Sequence, residues 1–381
     1  MKKKKLKLFL LLSISILILS FSLSGCGKEK EEPVPDPQTV SIWYVKSTVT
    51  SGIADAVTAS FSYENDGYYV SLRAFDTESL MAQALDESRP DLIVCSYERA
   101  SILYGGDHLA DLSDCGIEYG CVFSDDSGMT GSAFFPLYGS VDVLYVNDSL
   151  WAETHEDELS PDQLATVSSI CSAAIDYTRL SGSAFFAADN YAPVFAACLR
   201  QSGSTFNAVR NLDTASSDYV AMYNLFAEAA HEKAISVSDT SAKTLVSEGT
   251  VVCGLIPSYS AVNTGEGFSV YPAFQHDLKS SLSCAAVTGI AVTSENGGAE
   301  ACADVISRII SSGSVYSCAV ENGYLSFSAP SGESGSMLED VLRGIYSDYT
   351  IYIPAYDTGY YENASGFNTE FKTAMQLLIN S

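Results

Sequence analysis

Basic residues are scarce in this sequence. Its 381 residues include 20 lysines and arginines against 47 aspartates and glutamates, which gives a formal net charge of −27. Phosphate backbones are bound by clustered Lys and Arg, so this balance argues against a nucleic acid as partner. The sequence also lacks an internal repeat, which argues against a solenoid or an array. The excess of acid is typical of a soluble protein that avoids association.

Motifs of catalysis and metal binding are also missing. The chain contains no G-x-S-x-G or H-E-x-x-H, and no S-x-x-K follows residue 25. Its four histidines are scattered, and no Cys/His cluster has zinc spacing. We therefore predict a protein that is not an enzyme and uses no cofactor or metal. A surface glycoside hydrolase is kept as an alternative, because 47 acidic residues offer many carboxylate pairs.

The chain has ten cysteines but no C-x-x-C. Most of the nine that follow Cys26 lie in apolar stretches, where Cys behaves as a small hydrophobe. Only Cys115 and Cys121 lie close together in loop-like sequence, and a disulfide between them is the less favoured alternative.

The first 25 residues have the pattern of a secretory signal. Basic residues between Lys2 and Lys7 precede an uncharged apolar run, residues 8–23, which is shorter than the roughly 20 residues that span a bilayer. The run ends in Leu-Ser-Gly-Cys at residues 23–26, which resembles the bacterial lipobox. That resemblance implies cleavage before Cys26 and acylation of its thiol, which would anchor the protein to the extracellular face of the cell membrane.

Residues 26–38 read as a flexible tether. The segment after Cys26 is rich in proline and charge and has one aliphatic side chain, so it cannot bury enough apolar area to fold. The sequence after it has no second long apolar stretch. We therefore predict one soluble region, residues 39–381, held near a membrane.

Strand and helix patterns alternate from residue 40. Strands are predicted over 40–45, 68–74 and 90–95, with helices over 53–61, 78–85 and 97–104. This alternation indicates βαβ units and an α/β fold. Two more strands are predicted over 133–137 and 141–146, joined by residues 138–140. A capping box at Ser160 predicts a helix to about residue 175, and further helices are predicted over 191–201, 219–230, 300–310, 337–346 and 371–380.

Five segments in this order are similar to the extracellular solute-binding proteins of ABC importers, in the sugar-binding branch typified by maltose-binding protein. They are residues 41–44 (SIWY), 88–94 (SRPDLIV), 109–112 (LADL), 135–147 (FPLYGSVDVLYVN) and 288–292 (TGIAV). The resemblance implies a two-lobed fold of the type II periplasmic-binding-protein kind, with a ligand cleft between the lobes. It divides the chain into an N-terminal lobe, residues 39–138 plus 285–320, and a C-terminal lobe, residues 139–283 plus 321–381.

The resemblance also implies a function. The protein would capture a small solute, with a carbohydrate as the predicted class, by closing its lobes and would deliver it to an ABC permease. We expect a monomer with the small-molecule ligand, the permease and the membrane as partners. A surface lipoprotein that acts as an adhesin or interaction protein is the main alternative, since such a protein would also be exported and anchored.

Candidate binding residues follow from the ends of predicted strands, where open α/β sheets bind ligands. Aromatic faces with hydroxyl groups suit sugars, and carboxylates favour a ligand with hydroxyls or an amine over a phosphate. Ser96 and Glu98 also fit an ordinary helix start, as a cap and a charge at the helix dipole. Asp189 and Asn190 are further candidates. The predicted ligand-binding residues are Trp43, Tyr44, Ser96, Tyr97, Glu98, Tyr138, Ser140, Tyr259, Tyr356 and Asp357.

Overall fold

The computed structural model describes residues 38–61, 67–125, 127–154, 164, 166–204, 211–273, 281–294, 296–353 and 358–381. Cys26, the predicted signal and nearly all of the predicted tether lie outside these residues. Within them, no helix combines the length and the apolar character needed to cross a membrane.

The first sheet is built from alternating strands and helices, as predicted. The elements are β1 (Gln38–Val45), α1 (Thr48–Ser60), β2 (Tyr68–Phe75), α2 (Glu78–Glu87), β3 (Leu92–Ser96) and α3 (Tyr97–Gly105). The strand order is β2–β1–β3, and β1 runs parallel to β3 with Ile42 opposite Leu92. Residues 92–95 are all buried, which explains the continuous apolar run that marks β3 in the sequence.

The amino end of this sheet is held by one carboxylate. Asp91 is only 3% exposed, and its Oδ2 accepts hydrogen bonds from the backbone N–H and the hydroxyl of Ser41 at 2.9 and 2.7 Å. Its Oδ1 accepts the backbone N–H of Gly297 at 2.9 Å. The Pro-Asp pair that precedes β3 therefore joins the starts of two strands to the segment that leads into a later helix.

Two long strands, β5 (Phe134–Asn147) and β10 (Ser281–Val292), complete the first sheet, and β5 also continues into a second sheet. The far end of β10 pairs antiparallel with β3 in the first sheet, and β5 and β10 pair with each other. The two strands predicted over 133–137 and 141–146 are therefore one strand. Gly139 lies inside this strand and not in a linker, and a Cβ there would approach the Cys284 sulfur at 2.4 Å.

The second sheet continues from the other half of β5 in the order β9–β5–β8–β6–β7. An aromatic core that includes Tyr191, Phe195, Phe226 and Phe371 packs beside it. The elements are α4 (Asp148–Thr154), α5 (Val167–Ser181), β6 (Phe186–Ala188), α6 (Ala192–Gln201), α7 (Ser217–His231), β7 (Ile235–Ser236), α8 (Ala242–Ser247), β8 (Cys253–Pro257) and β9 (Phe268–Pro272).

The start predicted at Ser160 lies outside the described residues. Helix α5 begins at Val167, with Thr166 as the N-cap of a capping box, and extends beyond the predicted end to Ser181.

The last part of the chain returns to both sheets. The elements are α9 (Ala299–Ile310), α10 (Gly313–Glu321), β11 (Leu325–Ser326), α11 (Met337–Asp348), β12 (Thr350–Ile353) and α12 (Thr358–Ile379). Strand β12 pairs with β10 and with β4 (Phe123–Asp125). The prediction of a helix limited to 371–380 was wrong, because α12 begins thirteen residues earlier.

Nine cysteines are described, and all of them are free. Seven are buried, in agreement with their apolar sequence surroundings, whereas Cys115 is exposed and Cys318 is partly buried. The structure therefore contains no disulfide between Cys115 and Cys121.

Candidate ligand-binding site

A cavity of about 440 Å³ opens where the two long strands pass the carboxyl ends of β1 and β3. Parallel strands end at the same edge of a sheet, so residues that follow them are brought together there. The cavity is lined by Ser47, Thr48, Val49, Ser96, Tyr138, Ala286, Thr288, Asn322 and Tyr324. Seven of the nine carry a hydroxyl or an amide group, and none carries a formal charge.

On the first-sheet side, two serine hydroxyls of the lining also cap helices. Ser47 is the N-cap of α1 and forms a capping box with Thr50, and Ser96 is the N-cap of α3 and accepts the N–H of Arg99 at 3.2 Å. A capping oxygen satisfies an N–H group that the helix itself leaves free. These side chains are therefore held in place before any ligand is bound.

On the crossover side, β10 carries a bulge between Ala285 and Thr288. Ala286, in this bulge, has a φ of 48°, a left-handed conformation that costs an L-residue roughly 1–2 kcal/mol. Tyr138 pairs with Thr288 across the two long strands. Burial raises the pKa of the Tyr138 phenol, so it stays neutral and can donate a hydrogen bond.

Three tyrosines form a row along one side of the cavity. The ring centroid of Tyr324 lies 5.2 Å from that of Tyr138 and 5.7 Å from that of Tyr259. The backbone between them is closely packed, since Gly323 has a φ of 76° and a Cβ there would lie 2.7 Å from the Tyr259 Cα. Tyr259 itself is 45% exposed, so its ring is available to a ligand.

Two carboxylates lie at the edge of the second sheet, next to Tyr259. Asp142 on β5 is paired with Pro257, the last residue of β8, and Asp189 directly follows β6 on the other side of β8. Removal from water, with the nearby charge of Asp189, raises the pKa of the Asp142 carboxyl to about 7. Burial also raises the pKa of Tyr259, with further contributions from Tyr324, Asp142 and Asp189.

Three of the predicted binding residues lie at this site. Ser96 and Tyr138 line the cavity, and Tyr259 stands beside it through its contact with Tyr324. Ser140 is buried in β5 opposite Ala285, at the crossing of the two long strands. Asp189 occupies the second-sheet edge described above. Tyr356 and Asp357 lie outside the described residues, as does Cys26.

Four predicted residues are placed elsewhere. Trp43 is buried against Phe75, with the guanidinium of Arg73 4.6 Å from its ring centroid. Tyr97 is buried edge-on to Phe134, and its hydroxyl donates to Asp125 at 3.3 Å. Tyr44 is partly buried in β1, and Glu98 is partly buried in the first turn of α3. None of the four lines the cavity.

Six lining residues besides Val49 were not predicted from the sequence: Ser47, Thr48, Ala286, Thr288, Asn322 and Tyr324. Ser47 and Thr48 are separated from the end of β1 only by Lys46, so the strand-end argument that selected Ser96 could also have selected them. The Asn-Gly-Tyr segment at 322–324 was overlooked because helix α10, which ends just before it, was not predicted.

A larger cavity of about 950 Å³ lies between residues 261–268, the end of α10 and the start of α11. Its charged lining residues are all acidic: Asp148, Glu266, Glu321, Glu333 and Glu339. No group of three or more His, Cys, Asp or Glu side chains among the described residues is arranged to hold a metal ion. We select the smaller cavity as the candidate site because it lies at strand ends and at the crossing of both long strands.

The chain has the fold of the two-lobed extracellular solute-binding proteins, as the sequence resemblance implied. The structure is similar to that of a cyclic alpha-maltosyl-1,6-maltose binding protein from Arthrobacter globiformis, with 15% identity, a TM-score of 0.63 and coverage of 91% of this chain and 97% of that one. It is also similar to a probable secreted solute-binding lipoprotein from Streptomyces coelicolor, with 14% identity, a TM-score of 0.65 and coverage of 91% and 100%.

A third similar structure is a family 1 extracellular solute-binding protein from Bifidobacterium longum subsp. infantis, with 14% identity, a TM-score of 0.64 and coverage of 90% and 94%. At these identities the likeness establishes the fold. No family model matches the sequence, and a comparison with curated proteins gives no match.

Proposed function

We propose that this protein is a solute-binding protein that captures a small molecule in the 440 Å³ cavity. The observation that carries the proposal is the position of this cavity. Its lining comes from strand ends of the first sheet, from both long strands and from the segment that carries Tyr324, which contacts Tyr259 beside the second sheet. A ligand there would contact strand ends of the first sheet and Tyr324, whose ring lies 5.7 Å from that of Tyr259.

Capture would proceed by closure of two lobes around the solute. We propose the predicted division, residues 39–138 plus 285–320 and residues 139–283 plus 321–381, as those lobes. Contacts that form only when both lobes meet the solute would stabilise the closed state, because a ligand shifts an equilibrium only by its difference in affinity for the two states. The role requires no chemical change in the solute and therefore no catalytic residue.

A carbohydrate is the proposed class of solute. The lining offers hydroxyl and amide groups for hydrogen bonds, and the tyrosine row offers aromatic faces for the apolar side of a sugar ring. Two of the similar structures are of proteins that, by their descriptions, bind a cyclic maltosyl-maltose and cycloalternan. The uncharged lining on the first-sheet side fits such polyhydroxylated molecules.

We further propose that the protein is a monomeric lipoprotein, acylated on Cys26 and held at the extracellular face of the cell membrane. From there it would deliver its solute to an ABC permease. The Cys26→Ser variant is expected to appear in the culture medium or to retain its signal, and in either case to incorporate no labelled palmitate. Incorporation of label into that variant would contradict anchoring through Cys26.

The binding role can be tested on residues 39–381, which form one compact unit. We would screen thermal unfolding against sugars, oligosaccharides, amino acids, peptides and polyamines. One class that raises the melting temperature in a dose-dependent way is expected, since binding to the native state stabilises it by mass action. Tyr324→Ala should abolish that shift, whereas Tyr104→Ala, at an exposed tyrosine on α3, should not. No shift with any class in a folded protein would favour the adhesin alternative.

A further inference from the structure

Three hydroxyl groups of the 440 Å³ cavity form a row across three neighbouring strands. Thr288 on β10 lies opposite Ser96 at the end of β3, and on its other side it lies opposite Tyr138 on β5. Paired residues on neighbouring strands present their side chains on the same face of a sheet, and all three residues line the cavity. Strands lie about 4.8 Å apart, so this hydroxyl row is roughly 10 Å long. One wall of the cavity therefore offers polar groups at a regular spacing.

The polar groups of the lining include both donors and acceptors. A hydroxyl carries one proton and two lone pairs, and the Ser96 oxygen accepts the N–H of Arg99 at 3.2 Å, which leaves the Ser96 proton for a ligand. The Asn322 amide donates to the carbonyl of Cys318 at 2.8 Å, so its oxygen remains as an acceptor. A carboxylate only accepts hydrogen bonds, and an ammonium only donates them. The mixture therefore matches sugar hydroxyls, which do both.

The lining also carries no formal charge, although the chain has 47 acidic and 20 basic residues. An ionised solute that leaves water without meeting an opposite charge pays a large desolvation penalty. A neutral solute with hydroxyl groups loses much less, because the lining replaces its hydrogen bonds to water. The cavity therefore favours an uncharged solute over an acid or an amine.

An aromatic face stands next to the hydroxyl row. The ring centroid of Tyr324 lies 5.2 Å from that of Tyr138. The backbone before Tyr324 is held in place, because Gly323 has a φ of 76° and a Cβ there would lie 2.5 Å from the Val262 side chain. The C–H groups of a pyranose ring form an apolar face that packs on an aromatic ring. A cyclic sugar, unlike an open-chain polyol, thus satisfies the hydroxyl row and the aromatic ring at the same time.

The size of the cavity limits the number of sugar rings. At the packing density of organic crystals, one pyranose unit occupies roughly 150–200 Å³. A cavity of about 440 Å³ therefore holds two such units and not four. The length of the hydroxyl row leads to the same limit, because a pyranose ring is about as long as one strand spacing and the row covers two of them.

We propose that the solute is a neutral mono- or disaccharide, whose hydroxyls bind the hydroxyl row and one of whose rings packs on Tyr324. Thr288 determines specificity, because its hydroxyl has a neighbour on each side and fixes which sugar hydroxyl lies between them. This inference rests on the proposed function, since it assigns the charge and the size of the solute at the same site.

The test of size and charge uses malto-, cello- and β-galacto-oligosaccharides of one to four rings. The full exported chain is kept in a detergent without a sugar headgroup, and affinities are measured by calorimetry. In the series that binds, affinity is expected to be greatest at one or two rings and to fall at least tenfold when a third ring is added. The amino and uronic acid forms of the tightest-binding sugar should each bind at least tenfold more weakly than the neutral form.

The test of Thr288 uses the variant Thr288→Val, which keeps the shape of the side chain and removes its hydroxyl. It should weaken the tightest-binding sugar roughly 3-fold to 10-fold, as expected for one hydrogen bond between neutral groups. One monodeoxy analogue, which lacks the sugar hydroxyl that Thr288 binds, should bind the variant and the wild type equally. Thr350→Val is the matched control, since Thr350 is also partly buried on a strand, β12, and does not line the cavity. It should change no affinity.

The outcomes separate this inference from the function on which it rests. Affinity that rises through three and four rings, tighter binding of an ionised form, or binding of a solute other than a sugar would overturn the inference while the proposed function stands. Equal weakening of every monodeoxy analogue by Thr288→Val would overturn the role of Thr288. If neither these sugars nor any solute of the broader screen binds, the proposed function fails as well.

Discussion

The two sheets each have a carboxylate at one edge, and these two carboxylates differ in the number of hydrogen bonds that the protein donates to them. At the amino end of the first sheet, Asp91 receives three hydrogen bonds, two from Ser41 and one from Gly297. At the carboxyl edge of the second sheet, Asp142 receives none from any described residue. The protein itself satisfies the carboxylate that joins two strands, whereas the carboxylate near the candidate site receives no such hydrogen bonds from the described residues.

The largest effect should come from removing the first of these carboxylates. Asp91→Ala leaves the buried N–H groups of Ser41 and Gly297 without a partner, and each such group costs about 1–3 kcal/mol. We expect the free energy of unfolding to fall by about 3–4 kcal/mol in urea denaturation. Asp111→Ala, at an exposed loop position, is the control and should cost less than 1 kcal/mol. If Asp91→Ala lost no more free energy of unfolding than the control, the hydrogen bonds of Asp91 would not distinguish it from Asp142.

The second prediction concerns Gly323, which brings Tyr324 against Tyr259. Alanine there would have an unfavourable φ and a Cβ only 2.7 Å from the Tyr259 Cα and 2.9 Å from the Ser258 oxygen. We expect a loss of about 2–3 kcal/mol in the free energy of unfolding. Gly332→Ala is a matched control because its φ is 70° with no neighbouring atom within 4 Å, so it should lose only about 1 kcal/mol. Equal losses would show that the close contact at Gly323 carries no energy.

The third prediction concerns the unsatisfied carboxylate and has the opposite sign. An acid whose pKa rises from 3.8 to about 7 on folding binds its proton more tightly in the native state, so stability falls as the pH increases through that range. Asp142→Asn removes this penalty. We expect the ligand-free variant to be more stable than the wild type by about 1–2 kcal/mol near pH 8 and equal to it near pH 4. Destabilisation at pH 8 would mean that Asp142 has a structural role like that of Asp91.

The smallest effect should come from the bulge in β10. Ala286→Gly relieves a left-handed conformation at the cavity wall, and after the entropy of glycine is subtracted the gain should be about 0.5–1 kcal/mol. Ala285→Gly, one residue earlier and without a positive φ, should instead lose about as much. Denaturant midpoints measure this difference. A midpoint above that of the wild type for Ala286→Gly and below it for Ala285→Gly would confirm that strain is stored at Ala286.

The first sheet was predictable because its signals are local. Apolar runs, helix caps and strand spacing all lie within short windows, and β1, α2, β3 and α3 were placed within a few residues of their observed ends. Helix α10 was not predicted, since its sequence, GSVYSCAVE, is poor in strong helix formers. It is a helix because Val315, Tyr316, Ala319 and Val320 are buried, which is a tertiary effect.

The candidate site could be predicted only in part from the sequence, because much of it depends on tertiary structure. Ser96 followed from the end of a strand, and Tyr138 from the family resemblance. Asp142, in contrast, stands inside the apolar run VDVLYV and looks like a single polar residue in a strand. The raised pKa of its carboxyl depends on burial and on Asp189, which follows β6, and no local pattern joins two such distant segments.

The continuity of β5 and β10 has a mechanical consequence. Because β5 pairs with β10 in the first sheet and with β8 and β9 in the second, any rigid-body displacement of one sheet relative to the other must twist or bend β5 and the part of β10 that is paired with it. The pair therefore acts as a torsion element with few degrees of freedom, and the bulge at Ala286 is the point of least regular pairing along it. A single distance between one label on each sheet should be enough to follow the whole motion.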